Sequence, residues 1–277
     1  MIANVLEMLE SSASDAATIP PTILYNEGWL LRLVLALAAR GLNGLPFAFQ
    51  PQARWFSEGL LESPFRPRFR ADPLAEGRTH ADGVVGHFRV TDRTKAGVEL
   101  TAAATQFVIC EAKMFSALSR GTRRAPTFNQ AARNVSCLAW TLAQVRPRRP
   151  LTEYTSVGFF ILAPESQIQA RVFAAEMTRQ ALAASIEARV GFYDAEHRVA
   201  KLDPWLHEWA LPLLDGASQF RFDCISWESV IQRIAEQDAA CGDRMRSFYA
   251  ECLRYNAPAT QPADLPESSS VEEGNEA

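Results

Sequence analysis

The chain has 277 residues, 48% of them hydrophobic and 22% charged, with a net charge of −4. That balance is globular: it excludes a disordered or fibrous chain, and no run of 18 uninterrupted apolar residues offers a membrane span. Five cysteines (110, 137, 224, 241, 252) without C-x-x-C spacing argue against a zinc cluster or disulfide framework. No basic, then apolar, leader opens the sequence, so reduced thiols in a cytoplasm are expected.

In chain order, residues 1–22 read as an extension, small and polar after a short amphipathic start. Pro20-Pro21-Thr22 introduces a helix from Ile23 or Asn26 to Arg40, closed by Gly41. It carries Arg32 within a nearly continuous apolar run, which marks a core helix. Arg54 to Leu61 reads as a strand, Pro64 to Arg70 as a basic loop and Asp72 to Thr79 as a turn. Asp82 to Val90 alternates as a strand, and a turn over Thr91 to Gly97 leads to a long central strand, Leu100 to Met114. A helix is expected over Pro126 to Gln144, a buried strand over Tyr154 to Ala163, and a helix over Glu165 to Arg189. A strand from Phe220 to Trp227 runs into the helix Glu228 to Gln237, and a last helix covers Asp243 to Tyr255. The sum is an α/β fold in which helices flank a mixed central sheet, one domain over 23–256. The Pro-, Ser- and Glu-rich tail, 257–277, is expected to be disordered.

Charge is unevenly spread. Five acids and no base lie in the tail, so residues 1–256 carry +1. Between Arg120 and Arg149 there are seven arginines and no acid. Such a stripe suits phosphate, although a solvated surface explains it equally well. Of 28 basic residues only Lys95, Lys113 and Lys201 are lysines. Lysine is a compact charge with a movable pKa, whereas arginine binds anions as a fork.

One of those lysines stands in the chain's single E-x-K triplet, Glu111-Ala112-Lys113, at the end of the best strand candidate. Alternation puts Phe107, Ile109, Glu111 and Lys113 on one face, so two charges occupy positions expected to be apolar. Burying them is costly unless they are paired or bound to an ion. Phosphodiester hydrolysis with a divalent metal needs carboxylates for the ion and a group that orients the attacking water. Asp82, Glu111 and Lys113 have that chemistry. Glu27, near the start of the first helix, adds a carboxylate, and Gln130 a hydrogen-bonding group. Each has a bland reading beside it: a surface ion pair for Glu111–Lys113, a turn or cap for Asp82, a helix-dipole partner for Glu27, a solvated helix residue for Gln130. His80 and His87 read as structural, and Glu58 is left unassigned.

These residues resemble the PD-(D/E)xK nuclease superfamily. Ala81-Asp82-Gly83 resembles its P-D element, with Ala81 in place of proline, and Glu111-Ala112-Lys113 its (D/E)-x-K element. Phe128-Asn129-Gln130-Ala131-Ala132-Arg133-Asn134 is similar to its glutamine-containing helix motif. The resemblance implies a restriction-endonuclease-like αβββαβ core and a metal-dependent nuclease. It implies Asp82 and Glu111, with Glu27, as ligands of Mg²⁺ or Mn²⁺, Lys113 as the water-orienting group, and Gln130 at the catalytic site. Nucleic acid, DNA before RNA, is the expected partner, held by Arg120, Arg123, Arg124 and Arg133 with Arg66, Arg68 and Arg70. No membrane partner is expected, and a homodimer stays open. Two other readings remain: a nuclease-fold module that no longer cuts but binds nucleic acid or protein, and, more weakly, a hydrolase using Glu111 as base.

Overall fold

The computed structural model describes residues 8–9, 11–12, 14, 18–91, 96–122, 125–197, 201–215 and 220–257. The expected disordered tail beyond Ala257 lies outside the described residues, as does most of the N-terminal extension. Helix α1 (Glu27–Ala38) starts where the Asn26 side chain accepts the Trp29 N–H, and Gly41 follows it at φ +95°. Strands β1 (Arg54–Glu62), β2 (Arg78–Gly86), β3 (Phe88–Thr91), β4 (Gly97–Leu100) and β5 (Gln106–Ala112) come next. Helix α2 (Gln130–Ala143), capped by Asn129, precedes β6 (Ser156–Ala163). A short α3 (Glu165–Gln169) and a long α4 (Arg179–Glu196) follow. Asp203–Trp205, a π-helical stretch Leu206–Ala210, and Leu211–Leu214 together make α5. The chain closes with β7 (Phe220–Ser226), α6 (Trp227–Gln237) and α7 (Ala239–Asn256).

The fold is α/β, with one seven-stranded mixed sheet in the order β3-β4-β1-β2-β5-β6-β7. β1, β2 and β5 pair antiparallel, whereas β5, β6 and β7 pair parallel. The sheet separates two apolar layers. One packs α2, α4 and α5 on the face that carries Phe107 and Ile109; the other packs α1, α6 and α7 on the face of Val108 and Cys110. β5 is buried at every position, as a central strand covered on both faces must be. No described helix is long and apolar enough to cross a membrane.

Four elements depart from the sequence reading. The expected strand from Leu100 to Met114 breaks at Thr101–Ala104, where Ala104 N–H turns back to the Thr101 carbonyl; alanine holds a strand weakly. The strand with Asp82 begins at Arg78, so Asp82 lies inside β2 and not at its start. It ends at Gly86, where a side chain would meet the Gln106 carbonyl, so only glycine fits. The helix expected over Glu165–Arg189 is two helices, because Thr178 caps a new start by accepting the Ala181 N–H. α5, which holds Pro204 in its first turn and Pro212 just after its π-helical stretch, was not anticipated.

A candidate active site where β2 leaves β5

The β2–β5 ladder runs only from Gly86↔Phe107 to Gly83↔Cys110. Beyond it β5 stays with β6, pairing Glu111 with Ile161, while β2 continues with β1 alone. The Ala112 N–H, left without a ladder carbonyl, donates to Asp82 Oδ2 at 2.8 Å. A side-chain carboxylate thus completes the strand and is drawn against Glu111. That role in the sheet replaces the turn reading of Asp82.

Glu111 is buried, with a side chain only 2% exposed. Lys113 Nζ donates to its Oε1 at 2.8 Å, Gln130 Nε2 to the same atom at 2.5 Å, and Asn134 Nδ2 to Oε2 at 3.3 Å. Gln130 and Asn134 stand four apart on one face of α2, so the helix reads both carboxylate oxygens at once. Gln130 is itself fixed, since its Oε1 accepts the Ser119 N–H and its own N–H donates to the Ser119 carbonyl. The Lys113 backbone is held on both sides, its N–H by Leu162 O and its carbonyl by Trp227 Nε1. With Lys113 at 12% exposure, Glu111–Lys113 is not the surface ion pair.

Burial raises the Glu111 carboxyl, the Asp82 carboxylate beside it raises it further, and Lys113 opposes both; the outcome is a shift up to about 7. Glu111 therefore keeps its proton toward neutral pH. The Cys110 thiol feels the same field, pushed up first by burial and then by Asp82 and Glu111.

Asp82, Glu111, Lys113, Gln130 and Glu27 all line one open cleft of about 510 Å³. Glu27 reaches it from the first turn of α1, across from β5. Two further charged residues line this cleft: Arg32, read from the sequence only as part of a core helix, and Glu58, which had no assigned role. Arg32 Nε donates to Ser57 Oγ and Nη2 to Glu58 Oε1, both at 3.1 Å. Glu58 has φ +54°, a left-handed conformation that costs about 1–3 kcal/mol for a side-chain-bearing residue. Asn134 was quoted within the helix motif without a role, and its i+4 spacing from Gln130 was the available signal.

The arginines divide. Arg133 Nη2 donates to Ser119 Oγ beside Gln130, and exposed Arg120 follows in the same loop. Arg123 and Arg124 lie outside the described residues. Arg146, Arg148 and Arg149 sit past the other end of α2, roughly 20 Å away by helix rise. Arg146 binds the carbonyls of Ala143 and Val145, while Arg148 pairs with Glu208 and Arg149 with Glu153. The stripe is therefore not one surface, and distant acids neutralise part of it. Arg66 pairs with Glu62, and Arg68 Nε donates to the Tyr193 hydroxyl. His87 is structural as expected, its ring taken up by Pro51 O and the N–H groups of Thr105 and Gln106.

No cluster of three or more His, Cys, Asp or Glu side chains among the described residues is arranged to hold a metal. The converging pair is Asp82 and Glu111, two hard oxygen donors. Magnesium is held through one or two carboxylates and keeps its waters, so this donor set fits it. Charge fits as well: four carboxylates line the cleft against Arg32 and Lys113, the deficit one divalent ion would balance. No family model, curated protein or solved structure matches the chain.

Proposed function

We propose that this chain is a divalent-metal-dependent nuclease that hydrolyses phosphodiester bonds, DNA before RNA, on a restriction-endonuclease-like core. The observation that carries the reading is the approach of Asp82 to Glu111 at the parting of β2 and β5, with Lys113 bonded to Glu111. Topology supports it. Without the β3–β4 pair, the chain order α1, β1, β2, β5, α2, β6 is α-β-β-β-α-β, as the resemblance implies.

Asp82 and Glu111 would hold Mg²⁺ or Mn²⁺, with Glu27 as a further oxygen across the cleft. When bound, the ion supplies Lewis acidity to the phosphate and lowers the pKa of a water. An acid-lined cleft repels a phosphodiester, and this is a physical reason for metal dependence. Lys113 holds a charged N–H donor where the attacking water and the phosphate oxygens meet. Gln130 and Asn134 fix the plane of the Glu111 carboxylate. Arg120 and Arg133, beside the Gln130 end of α2, would meet the nucleic-acid backbone.

The test is Mg²⁺- or Mn²⁺-dependent cleavage of plasmid, linear and single-stranded DNA and of RNA. Wild type should cut at least one of them, and Lys113→Ala and Glu111→Ala should not; full activity in both variants sinks the assignment. The second reading, a nuclease-fold module that binds nucleic acid or protein without cutting, is favoured by the absence of a three-ligand cluster among the described residues. Nucleic-acid binding with no affinity for any divalent ion would select it.

A further inference from the structure

We infer that Arg32 is the phosphate-gripping residue of this cleft, placing its guanidinium against a non-bridging oxygen of the bound phosphodiester. The inference rests on the nuclease reading above. Arg32 and Lys113 are the cations in the lining, and Lys113 is already engaged with Glu111 at 2.8 Å. With Lys113 shared between Glu111 and the attacking water, a phosphate in the cleft calls for a second cation with a free N–H. Arg32 has one. Its Nε and Nη2 are taken by Ser57 and Glu58, but Nη1 makes no hydrogen bond among the described residues. The side chain is 26% exposed, and Nη1 runs past Gly28, where an added Cβ would stand 3.4 Å away. Glycine there leaves that edge of the fork uncovered.

The rest of the guanidinium is fixed. It stacks over the Trp29 ring, Cζ 5.1 Å from the centroid. Ordinary alternation along β1 would turn Ser57 and Glu58 to opposite faces. The positive φ of Glu58 turns both toward α1, and both hold Arg32. A half-exposed ion pair returns too little to offset a strained backbone in mid-strand, whereas a donor whose orientation matters needs such a hold. Arginine's planar fork is the group that gains from such orientation when it meets phosphate. Glu58 also holds Arg32 off Asp82 and Glu111 before substrate arrives, so it acts as a positioning residue.

The experiment compares wild type, Arg32→Ala and Arg32→Lys in three measurements: Mg²⁺-dependent cleavage, affinity for a short oligodeoxynucleotide with Ca²⁺ replacing Mg²⁺, and thermal unfolding. Arg32→Ala should lose about 100-fold in kcat/KM, as expected for one oriented donor to a developing charge. Arg32→Lys should lose about 10-fold, since charge remains but the fork does not. Added guanidinium should restore part of the activity of Arg32→Ala and none of Lys113→Ala, and calorimetric Mg²⁺ affinity should be unchanged. A structural brace predicts the reverse: a lower melting temperature with unchanged activity per folded molecule and no rescue. Arg32→Ala that cleaves and binds like wild type overturns the inference and leaves the nuclease reading standing. If wild type cuts nothing, the nuclease reading fails, and oligonucleotide affinity alone decides: weaker binding by Arg32→Ala supports the grip, equal binding overturns it.

Discussion

Asp72 and Glu111 are both carboxylates buried beside a basic side chain, and they have opposite fates. Asp72 is fully covered and bonds His197 Nε2 at 2.9 Å, while His197 Nδ1 faces the Tyr193 carbonyl at 2.7 Å. Both ring nitrogens of His197 thus face oxygens, and the ring is held between the loop and the end of α4. The remaining lone pairs of Asp72 take the N–H groups of Arg68 and Leu74. Burial alone would raise Asp72, but these donors and His197 outweigh it and hold the carboxyl below its ordinary value. Its charge is complete, and it ties the loop after β1 to the end of α4. Glu111 has as many donors, yet its carboxyl is shifted up, first by burial and then by a second carboxylate, Asp82, held against it. Burial raises both carboxyls; the like charge beside Glu111 is what Asp72 lacks.

The largest effect should come from the Glu111 region. Glu111→Ala and Lys113→Ala should each reduce cleavage by about 1000-fold or more, roughly 4 kcal/mol in the barrier. Asp72→Ala should leave the rate per folded molecule unchanged; an equal loss there would erase the contrast.

Stability should answer in the opposite way. Asp72→Ala removes the carboxylate that the His197 ring and the Arg68 and Leu74 N–H groups share, and should cost about 3–4 kcal/mol in urea unfolding. A loss below about 1 kcal/mol would mean the pair contributes little. The pH profiles should also oppose one another. Asp72, lowered from 3.8, contributes stability that is present above that value and lost as pH falls through it. Glu111, raised from 4.5 to about 7, contributes proton-linked stability that is present below 4.5 and lost as pH rises toward 7. Glu111→Gln should therefore be the more stable protein at pH 8 without divalent ions, by about 1–2 kcal/mol, or a few degrees in melting temperature. A less stable Glu111→Gln at pH 8 would refute the crowding of Asp82 and Glu111. The smallest effect is expected at Gln130. Its removal leaves Lys113 and Asn134 on Glu111, so Gln130→Ala should slow cleavage about 10-fold, with little change in unfolding.

Much of the β5 side was legible in the sequence. Alternation over Phe107–Lys113 puts Glu111 on the α2 face, and Asn26 and Asn129 are cap residues placed as helix starts require. These are local signals. Arg32 and Glu58 were not legible as a pair, because a positive φ carried by a glutamate leaves no mark in the sequence, and their contact spans 26 positions. Asp72 and His197 are 125 positions apart, so Asp72 reads as a turn residue and His197 carries no signal of its own. The arginine stripe misled for the same reason: Glu208, which neutralises Arg148, belongs to a helical segment 60 positions away. Long-range pairing, not propensity, decides which charges remain uncompensated.

The most direct test is a calorimetric titration of the intact chain with Mg²⁺ at pH 6.5 in two buffers of different ionisation enthalpy. One ion per chain should bind with release of part of a proton, because a cation between Asp82 and Glu111 drives the Glu111 proton off. Asp82→Asn should abolish binding, and Asp72→Ala should leave it intact. No Mg²⁺ or Mn²⁺ binding by wild type, or binding that Asp82→Asn leaves unchanged, would contradict a metal site at the parting of β2 and β5.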